Sequence, residues 1–260
     1  MLPLFLKPYD VAIKNLIRVG PNTDGGYVIH KESILLTKKI ITCGLNDDWK
    51  FEKEFQKLNE NCSVIAYDHT IDSNFWYQRF KKDIIHFFLL KKLRLSKIIK
   101  IFDYIDYKIF FNNKNKHLLK KIVKKPKKEN EISIIEVVQN LDDIILKIDI
   151  EGDEYDILSD ITKNSQKIIS LIMEFHNLEI NLDKIESFIN ENKYLKLIHI
   201  HGNNFKDVDS NGDPNDVELT FVNINRINIS KEKSSNNYPI IGLDYKNFKR
   251  KDDIKLTFHD

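Results

Sequence analysis

Five places in this sequence put ionisable or polar side chains directly after a short apolar run. Cys43-Gly44-Leu45-Asn46-Asp47-Asp48 follows Ile40-Ile41-Thr42, and Asp68-His69-Thr70 follows Val64-Ile65-Ala66-Tyr67. Asp149 and Glu151-Gly152 close Ile144-Ile145-Leu146-Lys147-Ile148, Glu174 and His176 bracket Phe175, and His199-Ile200-His201 leads into Gly202-Asn203-Asn204. If each run is a strand of one parallel sheet, all five sets lie at its carboxyl edge, where such sheets bind ligands. Gly44 lets a ligand approach the backbone, and the helix start after it offers free N–H groups. An acid in the place of Asp68 is the usual partner of ribose hydroxyls. Strand, glycine turn, helix, strand and acid point to a nucleoside cofactor; the structural alternative makes Gly44 a plain turn and Asp68 a helix cap. His199 and His201 are two apart on one strand and face the same side, with His201 nearer the edge.

The elements that must position these groups follow from the apolar pattern. Runs rich in Ile and Val at 40–44, 63–68, 144–152, 168–175, 194–200 and 217–222 read as strands. Amphipathic stretches between them read as helices, the order of βα units and a mainly parallel sheet. About 75 residues separate the second run from the third, more than one crossover helix requires. Residues 74–111 are helical in pattern, 116–123 fit either a short strand or another helix, and Ser133 is placed to cap a helix beginning at Ile134. Residues 72–128 carry 17 lysines and arginines against four acids, a net +13, which leaves −11 on the rest of a chain whose formal charge is +2. Such a block points to an anionic partner or to a solvated helical face. An apolar share of 42%, with 16 Phe and 10 Tyr, supplies a core and excludes wholesale disorder. Two cysteines exclude a disulfide framework, and eight glycines exclude collagen-like classes. No apolar run reaches the length of a membrane span and the first residues do not form a secretory signal, so the expectation is a cytoplasmic protein.

The residues resemble a known family, the FkbM-like group of S-adenosylmethionine-dependent methyltransferases. Leu146-Lys147-Ile148-Asp149-Ile150-Glu151-Gly152-Asp153-Glu154-Tyr155-Asp156-Ile157-Leu158 is similar to that group's most distinctive block. Arg18-Val19-Gly20 with Asp24-Gly25-Gly26-Tyr27-Val28 resembles the hairpin ahead of the first strand in one branch. Glu174-Phe175-His176, the His199 to Asn204 block and Glu218-Leu219-Thr220-Phe221-Val222 resemble that branch's later blocks, so the resemblance spans roughly residues 16–225. It implies a Rossmann-like α/β fold: a mainly parallel seven-stranded sheet flanked by helices, with the 217–222 strand antiparallel. Residues 1–260 would form a single domain, with 72–128 as a basic helical insertion or cap. S-adenosylmethionine would be the cofactor, contacted by Asp24, Gly25, Cys43, Gly44, Leu45, Asn46, Asp68, His69 and Glu151. The chain departs from the class in having one glycine after the first strand, and the Asp24-Gly25-Gly26 turn is the candidate substitute. Glu151 would serve either the cofactor's amino group or the next helix as a cap.

The implied reaction moves a methyl group from a sulfonium to a nucleophile, so the protein's main task is positioning. An alcohol acceptor also needs a base or a metal to deal with its proton. Asp149, His176 and His201 are the catalytic candidates, with His176 or His201 as base and Asp149 as orienter. Asp149, Glu174 and His176 are the candidates for a divalent metal, although no His-x-x-x-His or paired cysteines accompany them. Relatives often methylate sugar hydroxyls, and the lysines of 72–128 suit the pyrophosphate of a nucleotide-activated sugar destined for a surface glycan. The alternatives are nucleic-acid modification or binding through the same block, membrane-surface association through the apolar side of residues 84–102, a cofactor-binding relic without activity, and a metal-dependent hydrolase. Exposed Phe and Ile of the insertion are the expected surface of a possible homodimer.

Overall fold

The computed structural model describes residues 1–90 and 95–259. Seven strands form the central sheet: β1 Lys39–Cys43, β2 Ser63–Tyr67, β3 Lys116–Leu118, β4 Ile144–Ile148, β5 Ile168–Phe175, β6 Leu195–Asn203 and β7 Asp216–Asn223. Their order across the sheet is β6-β7-β5-β4-β1-β2-β3. All neighbours pair in parallel except β7, which runs antiparallel between β5 and β6. The α/β class, the mainly parallel seven-stranded sheet and the antiparallel 217–222 strand are therefore as expected. Strand order reverses between β1 and β4: the chain leaves β1 toward β2 on one side and returns to β4 on the other. A crevice opens at the carboxyl end of such a reversal.

Seven helices accompany the strands among the described residues: α1 Lys31–Leu36, α2 Lys50–Leu58, α3 Ser73–Leu90, α4 Leu95–Phe110, α5 Ile134–Val138, α6 Glu154–Asn164 and α7 Leu182–Glu191. Alternation along the strands feeds two cores. Ile41, Cys43, Leu146 and Ile148 pack with Ile134, Ile157, Ile161 and Phe188 of α5, α6 and α7. Ile40 and Ile145 pack with Ile34, Phe51, Phe55 and Phe110, and with Tyr27 and Ile29 of the hairpin Leu16–Val19/Tyr27–His30. A sheet covered on both faces explains why β4 and β5 are buried along their whole length and read as mainly apolar runs, with Lys147 and Ser170 as the buried polar exceptions before the acids. Ser133 caps α5 through a reciprocal pair with Glu136.

Within residues 72–128, α3 and α4 are the crossover from β2 to the short edge strand β3, which resolves 116–123 toward the strand reading. Trp49 packs edge to face against Trp76, Tyr107 and Phe111 where the crossover meets the start of α2, and these half-buried rings lie against the core. Phe102, Ile105 and Ile109 are exposed along one side of α4. The membrane-surface reading depends mainly on side chains between 84 and 101 that lie outside the described residues, as do Lys91, Lys92 and Arg94 of the basic block. No helix among the described residues is long and apolar enough to cross a membrane.

Candidate functional site

A cavity of about 520 Å³ lies at the strand-order reversal, within the range of small-molecule sites. Gly44, Asn46, Asp68, His69, Asp149 and Glu151 line it, together with Tyr67, Thr70, Lys120, Lys121, Ile122, Ile150 and Asp153. Gly44 sets its floor. Its φ is +81°, and a Cβ there would sit 1.6 Å from the Asp149 carbonyl oxygen, so β1 and β4 close together at the rim only over glycine. The turn after it is braced by Asp68. Asp68 Oδ2 accepts from the Leu45 and Asn46 amides at 2.9 and 2.8 Å, and Oδ1 accepts from the Thr70 amide and hydroxyl at 2.7 and 2.6 Å. Burial opposes ionisation of Asp68, but the Thr70 hydroxyl and amide and the two turn amides outweigh it and hold the carboxyl below its ordinary pKa.

This geometry corrects one sequence expectation. The N–H groups after Gly44 are not free, because Asp68 takes two of them and the Asn46 side chain takes that of Asp47. Helix α2 begins only at Lys50. A ribose hydroxyl at Asp68 would share lone pairs already in use. Cys43 and Leu45 are buried and are not among the lining residues, and burial pushes the Cys43 thiol well above its usual range. Asp24 and Gly25 are not among the lining residues. Arg18 holds their loop by donating to the Pro21 and Thr23 carbonyls at 3.0 and 2.8 Å, and Asp24 faces Glu174 and Glu218 instead.

His176 stands beside the cavity. Glu154, fully buried at the start of α6, fixes it: Oε1 accepts from the His176 amide at 2.8 Å and lies 3.1 Å from Nδ1, while Oε2 accepts from the Gly152 amide at 2.7 Å. With Nδ1 engaged, Nε2 faces a gap ringed by Glu151 Oε2 at 3.6 Å, Glu174 Oε1 at 3.8 Å and Asp149 Oδ1 at 3.9 Å. Burial lowers the His176 pKa, but the Glu154 hydrogen bond and the charges of Glu154, Asp149 and Asp216 raise it further, so the net direction is up. Asp149 moves to about 6, mainly through burial against the opposing pull of Lys147 and His176. Burial, then Asp149 and Glu218, lift Glu174 well above the carboxylate range. Asp149 Oδ1 is buried with no hydrogen-bond partner among the described residues. Glu151 is 83% exposed and holds a left-handed φ of +55°, a conformation that clusters at functional turns.

His201 lies one step away. Nδ1 is 3.2 Å from Glu218 Oε2 and Nε2 is 3.1 Å from Asp253 Oδ1, with the ring almost fully buried. Burial opposes its charge, but the bonds to Asp253 and Glu218 lift its pKa to about 10. With both ring nitrogens engaged, His201 bridges Glu218 and Asp253. His199 pairs with Asp244 at 2.8 Å, in keeping with a structural part. A pH effect on stability follows. The His201 proton is held to about pH 10 in the fold and to about 6.5 in the unfolded chain. Its contribution is whole below 6.5 and is lost as pH rises through about 10. Urea midpoints should fall across that window in the wild type, and the His201→Gln variant should lack that fall; equal slopes in both would contradict it.

Sequence reasoning missed Glu154 as the partner of His176 and reached Lys120 and Lys121, which line the cavity, only as members of the basic block. Glu154 stands in the 146–158 block quoted above, but nothing in its spacing pairs it with His176.

No protein-family model matches the chain. No curated protein matches it either. Among solved structures, it is similar to precorrin-6Y C5,15-methyltransferase from Geobacter metallireducens, with 10% identity and a TM-score of 0.37 over 74% of this chain and 86% of that one. It is also similar to fibrillarin from Aeropyrum pernix, solved with natively bound S-adenosyl-L-methionine, with 7% identity and a TM-score of 0.38 over 84% and 86%. A predicted O-methyltransferase from Agrobacterium tumefaciens gives 10% identity and a TM-score of 0.37 over 77% and 82%. These are likenesses in outline, and the functional reading rests on the chain's own residues.

Proposed function

We propose that this protein is an S-adenosylmethionine-dependent O-methyltransferase whose acceptor hydroxyl lies in the gap at His176 Nε2. One observation carries the reading: the cavity at the strand-order reversal shares Asp149 and Glu151 with the carboxylate ring around a histidine fixed by Glu154. The lining fits the donor chemically. Tyr67, Ile122 and Ile150 offer apolar faces for a purine, Asn46, His69 and Thr70 offer polar groups, and Glu151 and Asp149 offer negative charge for a sulfonium and an ammonium. When bound, the donor supplies a methyl group already made electrophilic by its sulfonium. The chain's residues do the rest. Glu154 holds Nδ1, Nε2 accepts the acceptor's proton, and the charges of Glu154 and Asp149 stabilise the imidazolium that forms.

For the acceptor we infer a sugar hydroxyl, on a nucleotide-activated sugar. Lys120 and Lys121 at the cavity and the +13 segment support an anionic substituent. One observation favours a second reading of the same gap. The unpartnered Asp149 Oδ1, with Glu151 and His176, offers three ligand atoms within 4.8 Å of one another, a set that fits a divalent ion. Such an ion would lower the acceptor's pKa in place of the base. Methyl transfer from labelled donor to a panel of nucleotide sugars, with and without chelator, tests both. Turnover insensitive to chelator supports His176 as base, loss restored by a divalent ion supports the second reading, and no transfer to any sugar hydroxyl contradicts the acceptor class.

A further inference from the structure

We infer that the outer face of the α3–α4 pair is a docking surface for an anionic lipid membrane. Helix α4 is apolar on two sides. On the inner side, Tyr107 packs against Trp49 and Trp76, and Phe110 is buried with the core. On the side opposite Tyr107, Phe102, Ile105 and Ile109 recur at helical spacing and are 59%, 50% and 66% exposed. Tyr77 and Phe80 of α3 are exposed as well. A surface helix of a globular protein normally turns one apolar stripe to the core and polar residues outward. A second apolar stripe left facing water marks a contact with a protein or a membrane. This surface is built from the described ends of the two helices and does not draw on the side chains between 84 and 101.

Charge selects the occupant. Residues 73–110 carry nine lysines and arginines against three acids, a net +6. Two of those acids are already engaged: Asp103 pairs with Arg79 at 3.2 Å, and Asp106 accepts from Lys53 at 2.6 Å and from Trp49 Nε1 at 2.9 Å. Lys81, Lys82 and Lys108 are exposed. Apolar side chains fringed by lysines complement an anionic headgroup layer, where the lysines meet the charge and the apolar groups enter the acyl boundary. A second copy of the chain is a poorer fit, because two faces of the same positive sign would have to meet. Nucleic acid would satisfy the lysines, but it rewards rings on which bases can stack, and Ile105 and Ile109 offer none. No helix among the described residues is long and apolar enough to cross a membrane, so the contact lies in the headgroup plane. This inference does not depend on the methyl-transfer reading.

The test is co-sedimentation of the full chain with vesicles of phosphatidylcholine alone and of phosphatidylcholine mixed with phosphatidylglycerol. The expected result is binding to the mixed vesicles, at least about tenfold weaker to the neutral ones and reduced by added salt. Phe102→Ser with Ile109→Ser should weaken binding to the mixed vesicles at least about tenfold at an unchanged Tm, since both side chains are exposed. Lys81→Glu with Lys82→Glu, which leaves the apolar stripe intact, should weaken it too and flatten the salt dependence. No binding to the mixed vesicles at low salt overturns the surface, as does binding that both double variants retain in full. A dimer that Phe102→Ser with Ile109→Ser dissociates, or plain oligonucleotides bound more tightly than the vesicles and lost in the same variant, would also overturn it, by giving the face to another occupant.

Discussion

Replacing His176 with glutamine is expected to lower methyl transfer by about 10²- to 10⁴-fold, the usual range for a lost general base, while donor binding is unchanged. The expectation comes from the ring's two ends. Nδ1 is tied to a fully buried acid, and Nε2 is left facing a gap bounded at 3.6 to 3.9 Å by three carboxylates. Burial opposes its charge, but Glu154, Asp149 and Asp216 raise its pKa, so the free base forms at a higher pH than in an unperturbed imidazole. The rate at low acceptor concentration should therefore rise with pH along a limb displaced to the alkaline side of that of an unperturbed imidazole. Glu154→Gln removes the charge that contributes most to that elevation. It should move the rising limb toward acid and lower the maximum rate, since the neutral amide no longer fixes a single tautomer. Steady-state rates across pH for the three proteins measure this. A His176→Gln enzyme as active as the wild type would remove the histidine from the mechanism.

The second large effect concerns the layer beneath the site. Lys147 sits in the middle of β4, its side chain 6% exposed, with Nζ 3.5 Å from Glu52 Oε1. It lies over the rings of Tyr27 and Phe51 at 5.4 and 5.7 Å. Glu52 is fully buried, receives the Thr42 hydroxyl at 2.7 Å, and has one oxygen with no partner among the described residues. Lys147→Met leaves that carboxylate alone in the core, which should cost about 3–5 kcal/mol. Removing both charges, in Lys147→Met with Glu52→Leu, should recover most of the loss, because the desolvation of both ions disappears together. Urea unfolding of the single and double variants closes the cycle. A single variant within about 1 kcal/mol of the wild type would show that the pair is not the only route by which Glu52 is stabilised.

The strand ends are legible in the sequence because β4 and β5 are buried on both faces and thus written as mainly apolar runs that end in acids. Strand β3 was left open: it is three residues long, at the sheet edge, and includes Lys116 and His117, so no alternation marks it. The pairing of Glu154 with His176 spans 22 residues and depends on how α6 starts, which spacing alone does not report. Asp24 was grouped with the cofactor turn because it precedes glycines. The path of its loop is set by Arg18 and by Gly26, where a Cβ would lie 2.1 Å from the Pro21 carbonyl oxygen, and that packing carries Asp24 to Glu174 and Glu218. His176 and His201 looked equivalent as strand-end histidines. They differ in what each ring nitrogen faces, a property of cross-strand partners rather than of local sequence.

The central claim is that the cavity over Gly44 accepts an adenosyl donor. Calorimetric titration of the folded full chain with S-adenosylhomocysteine tests it most directly, since product binding needs no acceptor. The account predicts saturable binding at one site, lost when Gly44 is replaced by valine in protein that remains folded. Wild-type protein that gives no heat with either the product or S-adenosylmethionine would contradict it.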